Sequence, residues 1–169
     1  MICRLIVLCL SLVCCLALTA CSDDGDGAES DNLGIPAYAR SNDEKGTQGF
    51  ARYWIDTLNE ATTSGDTKQL KRISQPSCEV CTDFAKRLDD IYANGGRVET
   101  EGFQVKQIAN EANVEPPGAG VSVILTATPQ TVVESKGAKP RKIEGGDVRF
   151  RLIMLRQGEH WEMDRIDIG

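Results

Sequence analysis

The sequence contains a single histidine, His160, so it cannot build a metal centre from several histidines. It has no Gly-x-Ser-x-Gly elbow that would present a serine nucleophile, and no phosphate loop of the Walker or dinucleotide-binding type. His160 stands beside the tight turn Gln157-Gly158-Glu159, where we expect it to be exposed to solvent. These absences predict a protein with no catalytic residues, no metal and no cofactor.

Basic residues are also in deficit: 19 Lys and Arg face 25 Asp and Glu, which gives a formal net charge of -6. A protein that binds nucleic acid needs a basic face to neutralise phosphates, so we expect no nucleic-acid partner. Much of the negative charge lies in residues 22–45, which carry seven acidic and two basic side chains. Most of the net negative charge therefore belongs to this N-terminal segment and not to the rest of the protein.

Residues 1–20 hold one basic side chain, Arg4, followed by a largely apolar run. The run is short for a membrane span, which needs ~20 apolar residues, and it fits a secretory signal peptide. Its end, Leu18-Thr19-Ala20-Cys21, resembles the bacterial lipobox, in which signal peptidase cuts before a lipid-modified cysteine. The resemblance implies that residues 1–20 are removed and that lipid on Cys21 anchors the protein to the outer face of the bacterial cell membrane. An ordinary signal peptide with a chance cysteine is the alternative.

Residues 22–45 are rich in Asp, Ser, Gly and Asn and offer little to bury, so we expect a disordered tether. A flexible chain of this length would hold the domain on the order of 25–30 Å from its anchor. The predicted organisation is a signal peptide at 1–20, the lipidated cysteine and acidic tether at 21–45, and a folded domain at 46–169.

The stretch from Phe50 to Tyr92 predicts three helices. Gly65 suits the left-handed position that ends the first helix, and Asp66 can cap the short second helix. Pro76 blocks the second helix, and Ser77 is a plausible cap for the third. The apolar face of the first helix is formed by Phe50, Tyr53, Trp54, Leu58 and Ala61.

Segments of β character follow at about 98–112, 121–133, 146–156 and 160–168, separated by turn residues. In the third segment Val148, Phe150, Leu152 and Met154 alternate with polar residues and should face the helices. None of these positions is a carboxylate, and Asp56 falls on the polar side of the first helix. Helices followed by a meander of strands indicate an α+β domain with an antiparallel sheet packed on the helices.

Two phrases, Ala61-x-x-x-Gly65-Asp66-Thr67-x-x-Leu70 and Gly158-x-x-Trp161, resemble the nuclear transport factor 2-like (cystatin-like cone) fold. The lipobox, the acidic linker, Gly49-Phe50 and Pro76-Ser77-Cys78-x-x-Cys81 together are similar to an actinobacterial lipoprotein family of unknown function. The resemblance implies three N-terminal helices on a curved sheet of about four strands. It brings a fold and a compartment but no established activity.

Cys78 and Cys81 are the only cysteines besides Cys21 that would remain after the leader is removed. Outside the cytoplasm two nearby cysteines usually form a disulfide, and one closing so short a loop contributes about 2 kcal/mol. A redox pair at a helix N-terminus is a second interpretation. Metal binding is a third, although two cysteines and one distant histidine fall short of four zinc ligands.

Taken together, these patterns favour a non-catalytic, lipid-anchored cell-envelope lipoprotein that binds a protein or another envelope component. The alternatives are a carrier or receptor for a small apolar ligand held in the cone, and an isomerase, dehydratase or hydrolase of the cone fold. Arg149 and Arg151 are candidates for an interaction face, or for a solvated face that blunts the sheet. Candidate pocket residues, which could equally be core, are Phe50, Tyr53, Trp54, Phe84, Phe150 and Trp161.

Overall fold

The structure, a computed structural model, describes residues 33–169. Within that range the chain forms an α+β domain of three helices and seven strands, preceded by a short 3-10 turn at Ala37–Ala39. The expected α+β class is confirmed. The helices are α1 (Glu44–Ser64), α2 (Lys68–Arg72) and α3 (Glu79–Ala93). The strands are β1 (Arg97–Glu99), β2 (Phe103–Glu111), β3 (Gly118–Ala127), β4 (Gln130–Val133), β5 (Arg141–Ile143), β6 (Gly146–Gln157) and β7 (His160–Ile168).

The packed part of the chain begins well before residue 46. Ile35 and Ala39 are 2% and 0% exposed, and the indole of Trp161 donates a hydrogen bond to the carbonyl of Ser41 at 3.0 Å. The prediction of disorder up to residue 45 was therefore wrong for residues 33–45, because an isoleucine and an alanine within a polar stretch join the core. The signal peptide, Cys21 and the rest of the predicted tether lie outside the described residues.

The long helix α1 is fixed at both ends by local chemistry. Its N-cap is Asp43, whose carboxylate accepts a 2.7 Å hydrogen bond from the amide of Gly46. Gly65 ends the helix with φ 77°, the left-handed conformation predicted for it. A Cβ at this position would lie 2.4 Å from the ring of Tyr92, so close packing also requires glycine.

The junctions of α2 and α3 differ from the prediction in their caps. Asp66 accepts a 3.1 Å hydrogen bond from the amide of Lys68, as expected, but the N-cap position of α2 belongs to Thr67. The helix ends at Arg72, before the chain reaches Pro76, and the backbones of Ile73 and Gln75 bond to Met163 of β7. Ser77 does not cap α3: the N-cap position belongs to Cys78, and the hydroxyl of Ser77 donates instead to Asp164 of β7 at 3.3 Å. Ser77 therefore bonds to a residue distant in sequence and not to the N-terminus of α3.

The main sheet is antiparallel with strand order β2-β3-β6-β7. Val123 lies opposite Phe150, and the inner positions of β3 and β6 are buried, so the predicted helix-facing register is confirmed. The predicted segment 121–133 is in fact two strands in different sheets, because the chain leaves the main sheet at Thr128-Pro129 and continues as β4. A second antiparallel sheet, with order β1-β4-β5, lies beside the main one and was not predicted.

The core lies between α1 and the inner face of the main sheet. Phe50, Trp54 and Ile55 of α1 are completely buried, and the buried members of β3, β6 and β7 complete the same cluster. Phe150 meets Phe103 edge to face at 5.5 Å between ring centroids. No helix among residues 33–169 is long and apolar enough to cross a membrane.

Candidate functional site

A cavity of about 420 Å³ opens between the C-terminal halves of α1 and α3 and the small sheet. This volume is within the usual range for small-molecule sites. We refer to this part of the molecule as the cavity end. The cavity is lined by Leu58, Asn59, Thr62, Phe84, Arg87, Leu88, Ile91, Val98, Thr100, Gly102, Phe103, Ala127, Thr128, Gln130, Val132, Arg141 and Ile143.

The walls of the cavity are mainly apolar. Side chains from α1, α3, β1 and β4 form buried positions of the wall, while Phe84, Phe103 and Ile143 are only partly buried and pack against the core from its edge. Aromatic and aliphatic groups left half-covered beside a concave space are what an apolar ligand would contact.

Asn59 of α1 pins the start of β2 at the back of the cavity. Its side-chain amide donates to the carbonyl of Phe103 at 2.9 Å, and its side-chain oxygen accepts from the amide of Phe103 at 2.8 Å. Gly102 comes so close that a Cβ would lie 2.4 Å from that oxygen, and its φ is 80°. This pair of bonds holds the Phe103 ring in the wall.

The hydroxyl groups of the lining are satisfied within the protein. Thr100 and Thr128 share a hydrogen bond of 2.9 Å between their hydroxyl oxygens, and Thr62 donates to the carbonyl of Leu58 at 2.7 Å. No aspartate, glutamate, histidine, lysine, tyrosine or cysteine is among the lining residues. The cavity therefore has no side chain with an ordinary pKa near neutrality that could act as a general acid or base.

Two arginines at the rim of the cavity share one carboxylate oxygen. Oε1 of Glu134, which follows β4, accepts from Nη2 of Arg87 at 3.0 Å and from Nη2 of Arg141 at 2.9 Å. The hydrogen bond from Arg141, aided by the charges of both arginines, lowers the pKa of Glu134. We call Arg87, Glu134 and Arg141 the arginine mouth. All three side chains are about half exposed.

Of the six aromatic residues predicted to line a pocket, Phe84 alone lines this cavity. Phe50, Trp54 and Phe150 are core residues, with the indole of Trp54 donating to the hydroxyl of Ser74 at 2.9 Å. Tyr53 is partly buried beside the core, and its hydroxyl accepts from the side chain of Gln69 at 2.9 Å.

Trp161 borders a different hollow, beside the N-terminus of α1 and the segment 116–120. The guanidinium of Arg156 lies 5.2 Å from the centroid of its ring. The space beside Trp54 and Phe150 is filled by protein, since both side chains lie in a core cluster to which β3, β6 and β7 contribute.

The candidate interaction face on the main sheet is largely neutralised. Arg151 contacts Glu111 at 2.7 Å and Asp167 at 3.3 Å, and the hydroxyl of Ser122 also donates to Glu111 at 2.6 Å. Arg149 is exposed on the same strand. A run of arginines in the sequence therefore does not produce a continuous basic surface.

The remaining chemically distinctive residues lie away from the cavity. Cys78 and Cys81 form a disulfide at the start of α3, with both residues buried. His160 was expected to be exposed, but its side chain is 16% exposed and Nε2 lies 3.0 Å from Oε1 of Glu162. Asp56 is on the exposed side of α1, as predicted, and partial burial raises its pKa. In the part of the chain that the structure describes, no carboxylate is buried and no cluster of potential metal ligands is found.

Arg87 was not predicted to be a site residue. In the sequence it has the position of an exposed residue on α3. Only the folded structure places it beside Arg141 of β5, where both arginines donate to Glu134. No local spacing joins these positions, which lie on separate elements.

A model of a family described as "Family of unknown function (DUF6318)" matches residues 34–167. No curated protein matches the sequence. Among solved structures, the intermembrane space region of chloroplast protein ARC6 is similar with a TM-score of 0.58 at 9% identity, over 76% of this chain and 97% of that chain. This likeness shows the fold alone.

Other structural neighbours carry the name of the fold class. An uncharacterised protein with a cystatin-like fold from Caulobacter vibrioides has a TM-score of 0.45 at 13% identity, over 70% of this chain and 85% of that chain. An NTF2-like protein of unknown function in nutrient uptake from Rhodospirillum rubrum has a TM-score of 0.48 at 14% identity, over 70% of this chain and 95% of that chain.

Proposed function

Because the chain belongs to the DUF6318 family of unknown function, we propose its function from the cavity: it is a non-catalytic binding module that takes a small, mainly apolar ligand in the cavity end. The module would be held at the outer face of the cell membrane by lipid on Cys21, as in the actinobacterial lipoproteins that the sequence resembles. In this proposal the nuclear transport factor 2-like cone serves as a binding scaffold.

The observation that carries the proposal is the composition of the cavity wall. A space of about 420 Å³ is lined by apolar side chains, by threonines and an asparagine that bond within the protein, and by two arginines. Apolar walls with few polar groups are typical of ligand pockets, whereas acid–base catalysis needs a titratable group within reach of the substrate. Binding without chemistry is the activity that these residues support best.

Ligand binding can be tested on residues 22–169, secreted through an oxidising compartment without the lipid. The described residues enclose their own core, so this part should fold by itself. Native mass spectrometry and titration with dodecanol, an uncharged apolar probe, should reveal one binding site. Ala127→Leu, which places a larger side chain at the cavity wall, should abolish binding. If neither a carried ligand nor a dodecanol complex is seen, the cavity is not a ligand site and the proposal fails.

Anchoring needs a separate test, since it depends on a different part of the sequence. The full chain expressed in a bacterium should fractionate with membranes and carry the mass of a lipid on its N-terminal cysteine. Cys21→Ser should lose that added mass and the signal-peptide cleavage that accompanies it. A wild-type chain that is cleaved elsewhere and released without lipid would contradict the anchor and leave ligand binding unaffected.

A further inference from the structure

We propose that the ligand of the cavity is a carboxylate-bearing amphiphile, whose apolar chain fills the cavity while its carboxylate takes the place of Glu134 between Arg87 and Arg141. This inference rests on the proposed function and adds the chemical class of the ligand. It assigns the arginine mouth as the site of the charged group.

The geometry of the mouth shows that two guanidinium groups converge on one carboxylate. Nη2 atoms of Arg87 and Arg141, which belong to different elements, reach the same oxygen of Glu134 at 3.0 and 2.9 Å. Each guanidinium has five N–H donors in a planar fork that suits a carboxylate, and the contacts with Glu134 engage one nitrogen of each. An incoming carboxylate would thus find donors already positioned.

Glu134 can leave this position at little cost. Its side chain is 47% exposed, and ion pairs at such surfaces contribute little to stability. Displacement would return its carboxylate to water, while the ligand carboxylate would gain both arginines beside an apolar wall. Glu134 therefore acts as an internal competitor that covers the arginines when no ligand is bound.

The charge of the cavity lining favours an anion over a cation. The two arginines line the cavity, whereas Glu134 stands outside the lining. The hollow on the outer side of α3 is mixed in charge, with Asp83, Asp90 and Lys86 beside Arg87, so the preference comes from the lining itself. A ligand with a cationic head would meet two arginines and lose affinity through like-charge repulsion.

The combination of apolar wall and charged mouth also fixes the orientation of the ligand. Phe84 and Phe103 lie at the edge of the core, where a chain can contact them without displacing protein. The arginines stand at the rim, half exposed, so the head group remains in contact with water. A tail-in, head-out arrangement avoids burying a charge away from solvent.

The experiment compares probes that share one chain and differ in the head group, each kept below its critical micelle concentration. Calorimetric titration of residues 22–169 with dodecanoate should give an affinity a few-fold higher than with dodecanol, as expected for an ion pair at a half-exposed site. Dodecyltrimethylammonium should bind more weakly than dodecanol. Equal affinities for dodecanoate and dodecanol would overturn the inference while leaving the proposed function intact.

Variants locate the effect at the mouth. Arg87→Gln and Arg141→Gln should each remove most of the advantage of dodecanoate and leave dodecanol binding unchanged. Glu134→Gln should raise the affinity for dodecanoate several-fold, because it removes the competing charge. Arg165→Gln, a change of the same kind at an exposed residue of β7 that does not line the cavity, should change neither affinity.

Three results distinguish this inference from the alternatives to it. A dodecyl phosphate that binds more tightly than dodecanoate would reassign the head group to phosphate and overturn the carboxylate. Failure of every probe, charged or neutral, would remove the proposed function together with the inference. If the arginine mouth only links α3 to β5, the arginine variants should have a lower melting temperature but the same ratio of dodecanoate to dodecanol affinity. That result would also overturn the inference.

Discussion

The two ends of the layer beneath α1 differ in how completely they are filled. At one end, which we call the filled end, Phe50 and Trp54 of α1 belong with Phe150 of β6 to the core cluster, and all three are 2% exposed or less. At the cavity end Phe84, Phe103 and Ile143 are only partly buried around an open space. The same helix thus supplies one face to a closed core and to a cavity.

The difference follows from the strands that cover each end. The filled end lies under β3 and β6, which have 10 and 12 residues, whereas the small sheet has strands of 3, 4 and 3 residues. A short strand presents only one or two side chains to a given face, so it cannot fill the space beside a helix. The cavity therefore arises from the change of sheet at Thr128-Pro129 rather than from small side chains on the helices.

The largest expected effect comes from replacing a phenylalanine by alanine, once at the filled end and once at the cavity end. Phe50→Ala should lower the free energy of unfolding by about 3–5 kcal/mol, because it leaves a void in a closed core. Phe84→Ala, at the wall of an existing cavity, should cost about 1 kcal/mol, since the side chain gives up fewer contacts. Urea unfolding followed by tryptophan fluorescence measures both. Equal losses would show that the two ends are packed alike.

The second test adds volume instead of removing it. Ala51→Leu places three extra carbons in the filled end, where overpacking costs about 1–3 kcal/mol. Ala127→Leu makes the same change at the cavity wall, where the free energy of unfolding should stay within about 0.5 kcal/mol of the wild type. Unfolding curves of the two variants provide the measurement. A destabilised Ala127→Leu protein would mean that the cavity closes in solution.

The third test compares the two parts of α3, of which the first lies in the core and the second faces the cavity. The Cys78–Cys81 disulfide lies at its start, among the core residues, while Phe84 and Arg87 further along face the cavity. Reduction, or Cys78→Ser with Cys81→Ser, should lower the free energy of unfolding by at most about 2 kcal/mol because the closed loop is short. Dodecanoate affinity should not change. A parallel loss of affinity would show that the start of α3 also positions the mouth.

The smallest expected effect depends on pH and compares two glutamates. Hydrogen bonds from Ser122 and Arg151 lower the pKa of Glu111, which lies behind the filled end. Because its folded pKa is depressed, Glu111 contributes stability above its ordinary pKa of 4.5, and this is lost as pH falls through the lower folded value.

Glu111→Gln should therefore flatten the decline of stability with acidity below pH 4.5, by less than about 1 kcal/mol. Glu134→Gln at the more exposed mouth should change the slope less. Chemical unfolding at a series of pH values from neutral to acidic gives the comparison. If Glu134→Gln changed the pH dependence of stability more than Glu111→Gln, then Glu134 and not Glu111 would be the more strongly stabilised carboxylate.

Local chemistry was sufficient to predict much of the helical half. The left-handed position of Gly65 and the hydrogen bond that Asp66 accepts from Lys68 each depend on residues within one turn of the helix. The buried face of β6 was predictable because alternation along a strand fixes which side chains share a face. Such features involve neighbours in sequence, and a sequence displays them directly.

The start of the domain was not predictable in the same way. Residues 33–45 look polar on average, yet Ile35 and Ala39 are buried in the core cluster. His160 likewise adjoins a tight turn, but its side chain is 16% exposed and lies 3.0 Å from Glu162 on the same strand. Whether a residue is buried depends on the elements that pack over it in the folded protein. The residues next to it in the sequence do not show which elements these are.

The sequence by itself determined the α+β class, the helix breaks, the inward face of the main sheet and the absence of motifs for common catalytic sites. The tertiary structure decided that β4 leaves the main sheet, that a cavity opens beside the small sheet, and that Arg87 meets Arg141 across Glu134. The physical reason is range: turns, caps and alternation depend on adjacent residues, whereas a cavity and its charges depend on elements that meet only after the chain has folded.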